Sequence, residues 1–142
     1  MFEFSYSVEL SITHPTIAPE VLTHSLGLNP TLHTKAGEER TSIRGEPLGR
    51  KALLSTWRCN LHDEPRLDSK VIELSAFIDS WIQKLTPNAG LFEKINNEGG
   101  EAQFSVCWYA GGTSYATGIL ESATLKKCGA LGLDIELNIV TN

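Results

Sequence analysis

Phe2-Glu3-Phe4-Ser5-Tyr6-Ser7-Val8-Glu9-Leu10-Ser11-Ile12 decides the fold. Apolar residues occupy every even position and polar ones every odd position. Successive side chains of a strand point to opposite faces, so a period of two describes a strand with one face in a core and one in water. His14-Pro15 ends it. At the far end, residues 134–141 alternate again, with Ile135, Leu137 and Ile139 on one side. Alternating strands of this kind argue for a sheet wet on one face and helix-covered on the other.

The intervening segments supply helices for the apolar face. Pro19 suits a first helical turn, and Val21, Leu22, Ser25 and Leu26 give a short amphipathic helix. Gly27 can adopt the left-handed C-terminal cap, with Leu28 folding back as its apolar partner. A short strand follows over Thr31 to Thr34, and a longer one over Ala52 to His62. The latter carries Leu54, Trp57, Cys59 and Leu61 in imperfect phase, which implies a bulge near Thr56. Residues 69–85 read as the best helix, capped by Asp68 or Ser69. Its stripe is Val71, Leu74, Phe77, Ile78, Trp81, Ile82 and Leu85, spaced by threes and fours. Leu91, Phe92 and Ile95 suggest another short helix. Residues 102–110 read as a strand, Gly111-Gly112-Thr113 as a turn, and Tyr115 to Leu120 as the returning strand of a hairpin. Ser122 can cap a last helix with Leu125 and Cys128.

Leu26-Gly27-Leu28 and Leu131-Gly132-Leu133 echo one another at the ends of two short helices. The expected fold class is α+β: a mainly antiparallel sheet with helices packed on one face. A ferredoxin-like β-α-β-β-α-β core with an appended β-α-β fits the order, and the echo raises a pseudo-duplication of β-α-β units.

The 142 residues fit one domain, 1–142, large enough to bury a core without disulfides or metals. Hydrophobic residues make up 41% and charged residues 20%, as in ordinary globular chains. No apolar run approaches a membrane span. The N-terminus lacks the basic and apolar regions of a secretory signal, so the expected location is cytoplasmic. The net charge of −5 disfavours nucleic acid and anionic membranes as partners. Three widely separated cysteines, Cys59, Cys107 and Cys128, form no zinc or redox spacing and read as small buried hydrophobes.

The charge is uneven. Residues 35–58 hold six basic residues against three acidic ones, a local +3 that leaves −8 elsewhere. The stretch from His33 to Lys51 is polar and glycine-punctuated, and long connections of this kind are often functional. Arginine presents a planar fork suited to carboxylate and phosphate. Gly37, Gly45 and Gly49 allow tight turns that offer backbone amides to an anion. The candidate binding residues are Lys35, Glu38, Arg44, Arg50 and Trp57. For Arg50 the competing role is structural, through a pair with Glu38; Trp57 inside a strand competes as core.

No Walker A loop, GxGxxG, HExxH or GxSxG is present, so no catalytic residue is assigned; the reading leans toward a non-enzyme and leaves an enzyme open for the anion-binding alternative. A Cys59–His62 pair would need a bend, because residues three apart on a strand face opposite ways. No metal site or cofactor is expected.

Several features occur together in order: the alternating first strand, Leu26-Gly27-Leu28-Asn29-Pro30, Lys35-Ala36-Gly37-Glu38, Gly49-Arg50, Trp57, a long amphipathic helix, and Ala130-Leu131-Gly132-Leu133-Asp134-Ile135-Glu136-Leu137. In this order the chain resembles, over nearly its full length, a family of small bacterial proteins called domain of unknown function 4279. The resemblance implies a fold and no activity. Two functions stay open, beside a structural reading in which the domain forms a homodimer through the wet sheet face or an edge strand. One is a non-enzymatic protein-binding module, including an immunity-type protein whose acidic remainder covers a basic toxin. The other is a domain for a small anion or metabolite, using the basic loop 35–51.

Overall fold

A computed structural model of the chain describes residues 4–111 and 116–141. β1 (Ser5–His14) is followed by α1 (Pro19–Leu26), β2 (Leu32–Thr34), β3 (Glu39–Thr41), β4 (Pro47–Lys51), β5 (Ser55–Asn60) and β6 (Leu67–Asp68). Then come α2 (Leu74–Leu85), α3 (Ala89–Asn97), β7 (Glu101–Tyr109), α4 (Ser122–Leu131) and β8 (Asp134–Val140). The main sheet has the order β2-β5-β1-β7-β8, with β6 also paired to β1. β3 and β4 form a separate two-stranded ribbon.

The alternation of β1 sets everything else. Its register places Leu10 between Cys59 and Phe104, and Ile12 between Trp57 and Ala102. Apolar residues therefore line up in rows across the sheet on one face, where Tyr6, Val8, Leu10, Ile12, Trp57, Phe104 and Val106 are buried. Leu22 of α1, Ile78 and Ile82 of α2, Phe92 and Ile95 of α3, and Cys128 and Leu131 of α4 complete that core. The other face carries Ser7, Glu9, Ser11 and Thr13, flanked by Thr56, Arg58 and Asn60 and by Gln103, Ser105 and Cys107. The fold is α+β, with a mostly antiparallel sheet and its helices against one face.

β1 and β2 both run antiparallel to β5, which lies between them, so β1-α1-β2 is a split β-α-β unit. β7-α4-β8 is a second unit, with its parallel strands adjacent. The two leucine-glycine-leucine echoes cap α1 and α4 as expected: Gly27 and Gly132 have φ of 65° and 77°. Leu133 is buried behind its cap, and Leu28 packs against the core. A β-carbon would strain both glycines.

Several expectations are corrected. The bulge near Thr56 is absent: β1 and β5 pair without a break from Asn60 to Ser55, and it is Leu54, outside the strand, that falls out of phase. α2 starts at Leu74 rather than near residue 69, because Asp68 pairs with Ser5 and the Ser69 hydroxyl accepts from Phe4 N–H. Val71 is left exposed as a result. The stretch 33–51 has structure of its own in the β3–β4 ribbon. Residues 116–120 form no returning strand, and Tyr115 lies outside the described residues. The edge of β7 is taken by β8 instead. Gly118 lies against the rings of Phe4 and Trp108, which stack at 3.8 Å. Among the described residues no helix is long and apolar enough to cross a membrane.

A candidate cationic cleft

The β3–β4 ribbon is built locally. At its tip, Ser42 N–H donates to Glu46 O, and the Ser42 hydroxyl accepts from the N–H groups of Arg44 and Glu46. At its base, Gly37 N–H donates to Ala52 O and Ala52 N–H to Glu38 O. The Glu38 carboxylate accepts from Lys35 N–H at 2.8 Å, and the Ser55 hydroxyl accepts from Ala36 N–H. Between Glu39↔Lys51 and Thr41↔Pro47 the register shifts, and Gly49 sits in the longer strand at φ 71°. Arg40 and Arg50 of the ribbon lie on its side toward the main sheet, where they line a cleft.

There they meet the outer face of β2 and β5. Leu32 is opposite Arg58 and Thr34 opposite Thr56, on the side away from the helices. The resulting cleft of about 660 Å³ is lined by Arg40, Arg50, Lys51 and Arg58, by Leu32, Leu53 and Leu54, and by small polar residues. No lining residue is acidic, and among the described residues none of the four cations makes an ion pair. Four positive charges on a lining without carboxylates produce a local positive potential on an acidic protein, although Glu39 stands opposite Lys51 across the ribbon and Glu136 interacts with Arg58. The cleft is wide: Leu53 is 91% exposed and Leu54 46%.

Of the residues singled out from the sequence, Arg50 lines this cleft. Lys35 and Arg44 are exposed but do not line it. Glu38 holds the ribbon's base through Lys35 N–H rather than pairing with Arg50. Trp57 is fully buried, and its indole N–H donates to the Thr23 hydroxyl at 3.0 Å. It belongs to the core. Sequence reasoning missed Arg40, Lys51, Arg58 and the three leucines as a group. Arg58 adjoins Trp57 in a strand, so one of the two faces out, but which one, and how near Arg58 lies to Arg50, depend on long-range pairing.

The other chemically capable groups have structural partners. The His14 ring accepts at Nδ1 from the N–H groups of Thr16 and Ile17, and its Nε2 lies 2.8 Å from Glu98. His62 accepts from Val8 N–H at Nε2, and its Nδ1 bonds Glu64 O. Cys59 bonds the carbonyls of Asn29 and Asn60, so it forms no pair with His62. Burial first, and then the charge of Glu9, pushes the Cys59 thiol up; burial and Asp79 push Cys128 up to about 11. Thiols so shifted are poor nucleophiles at neutral pH. Burial raises the Tyr6 hydroxyl to about 12, and it donates to Ile72 O. His24 and His33 share a small cleft beside α1 with Glu20. Among the described residues no three His, Cys, Asp or Glu side chains converge as a metal site.

No curated protein and no solved structure matches the chain. The profile described as domain of unknown function (DUF4279) matches residues 4–142, so the chain belongs to that family.

Proposed function

We propose that the chain is a cytoplasmic, non-enzymatic binding domain whose cationic cleft recognises an acidic protein surface. The observation that carries this reading is the lining itself: Arg40, Arg50, Lys51 and Arg58 beside Leu32, Leu53 and Leu54, with no carboxylate among them. Arginines supply bidentate contacts to carboxylates, and flanking apolar groups supply the buried centre of a protein interface. Sites for small molecules bury most of their ligand. The exposure of Leu53 and Leu54 therefore favours a partner with its own surface over a small anion. The immunity-type version would instead use the −8 remainder against a basic toxin, and the cleft does not speak for it. The strand order supports a ferredoxin-like arrangement extended by α4 and β8.

The experiment is a paired affinity capture from the native host with the tagged full chain and an Arg50→Glu/Arg58→Glu variant. Circular dichroism checks that both are folded. The proposal expects a stoichiometric partner retained by the wild type, lost by the variant and released by salt. Equal retention by both proteins would place binding elsewhere.

A further inference from the structure

The two edges of the main sheet differ. β2 is three residues long and follows Pro30, so little of its backbone is open. β8 runs for seven residues and pairs with β7 without a register break; its two charged residues, Asp134 and Glu136, both lie on the face away from the helices, and it contains no proline or lysine. Natural sheets blunt long regular edges with such devices, because an open edge templates further pairing.

The geometry of β8 defines what the edge offers. Ala110 N–H donates to Val140 O, so the peptide groups of Asp134, Glu136, Asn138 and Val140 turn toward β7. Those of Ile135, Leu137 and Ile139 turn outward by the alternation of a strand. On the helix-covered face, Ile135 packs against the core, whereas Leu137 and Ile139 remain 46% and 59% exposed.

We infer that β8 pairs antiparallel with β8 of a second copy about a twofold axis through Leu137, continuing the sheet across a homodimer. In this register Leu137 meets Leu137 of the second copy, and Ile135 meets its Ile139. All the outward peptide groups of these three residues are then paired. The exposed apolar side chains form one ladder on the helix-covered face. On the other face Glu136 meets Asn138, and Asp134 meets Val140, so no like charges oppose. Glu136 already accepts from Ser105 and Asn138 of its own chain, which fixes its carboxylate for that pairing. A register centred on Glu136 would set two carboxylates face to face. One centred on Asn138 would set Ile135 opposite Thr141, beyond the end of β8. The chosen register is thus self-complementary, as an isologous interface requires.

The test is the solution mass of the full chain by sedimentation equilibrium, from micromolar to submillimolar concentration, with Leu137→Lys, Leu137→Glu and their equimolar mixture. Circular dichroism verifies folding of each. The wild type is expected to approach twice 15.6 kDa as concentration rises. Each variant alone is expected to stay at the monomer mass, because it opposes like charges on the axis. The mixture is expected to recover the dimer, since Lys then faces Glu. A wild type that stays monomeric throughout would overturn the inference, and that result needs no variant to fold. A wild-type dimer that both variants preserve, or a mixture that stays monomeric, would overturn it as well.

Discussion

Trp57 and Arg58 are neighbours in the chain with opposite fates. The indole is fully buried between sheet and α1, while Arg58 stands on the outer face with the cationic cleft. The period of two makes this division legible, because one of any two adjacent strand residues must face out. Without the register, though, the sequence does not say which. Pairing with Ile12 settles Trp57 as core. Replacing Trp57 by Ala should destabilise the protein by about 3–5 kcal/mol, the usual cost of emptying a buried aromatic site. Arg50→Ala should change stability by less than about 0.5 kcal/mol, as for an exposed side chain without a buried partner. Urea unfolding of the two variants checks both values. A large loss for Arg50→Ala would make that arginine a structural residue.

At the level of elements, the strongly periodic segments were legible and the connections between them were not. β1, α2 and β8 follow from apolar spacing alone. The start of α2 was misread because Val71 extends its apolar stripe in sequence while the chain there is tied to β1 through Asp68 and Ser69. The residues from 116 to 120 look strand-like, but the edge they would occupy is filled by β8 arriving in parallel after α4. That competition is long-range and leaves no mark on the local pattern. The β3–β4 ribbon likewise lacks a hydrophobic face, so only its turn residues hint at it. A two-stranded ribbon without a core is marginal by itself. Amide hydrogen exchange should therefore be slowest in β1 and the facing residues of β7, and faster by orders of magnitude across residues 39–51. Protection of the ribbon equal to that of β1 would contradict a marginal ribbon held by its own turns.

For the whole molecule, charge separation is the property that matters. An overall −5 hides a +3 segment, and folding sharpens the contrast by gathering Arg40, Arg50, Lys51 and Arg58 while leaving Glu38, Glu39 and Glu46 off the cleft. Composition exposed the imbalance. It could not show that cations from β3, from β4 and from β5 line one cleft between the ribbon and the outer face of β2 and β5. Lys35 and Arg44 belong to the same basic stretch in sequence but do not line this cleft. Such a surface should steer acidic partners toward itself, with an effect that weakens within a Debye length of about 8 Å at physiological salt. The most direct test is an amide chemical-shift titration of the isotopically labelled full chain with an oligoglutamate peptide. Saturable, salt-sensitive shifts centred on Arg40, Arg50 to Leu54 and Arg58 are the predicted result. Shifts clustered on the α2–α4 face, or none at all, would contradict the assignment of the cleft as the recognition site.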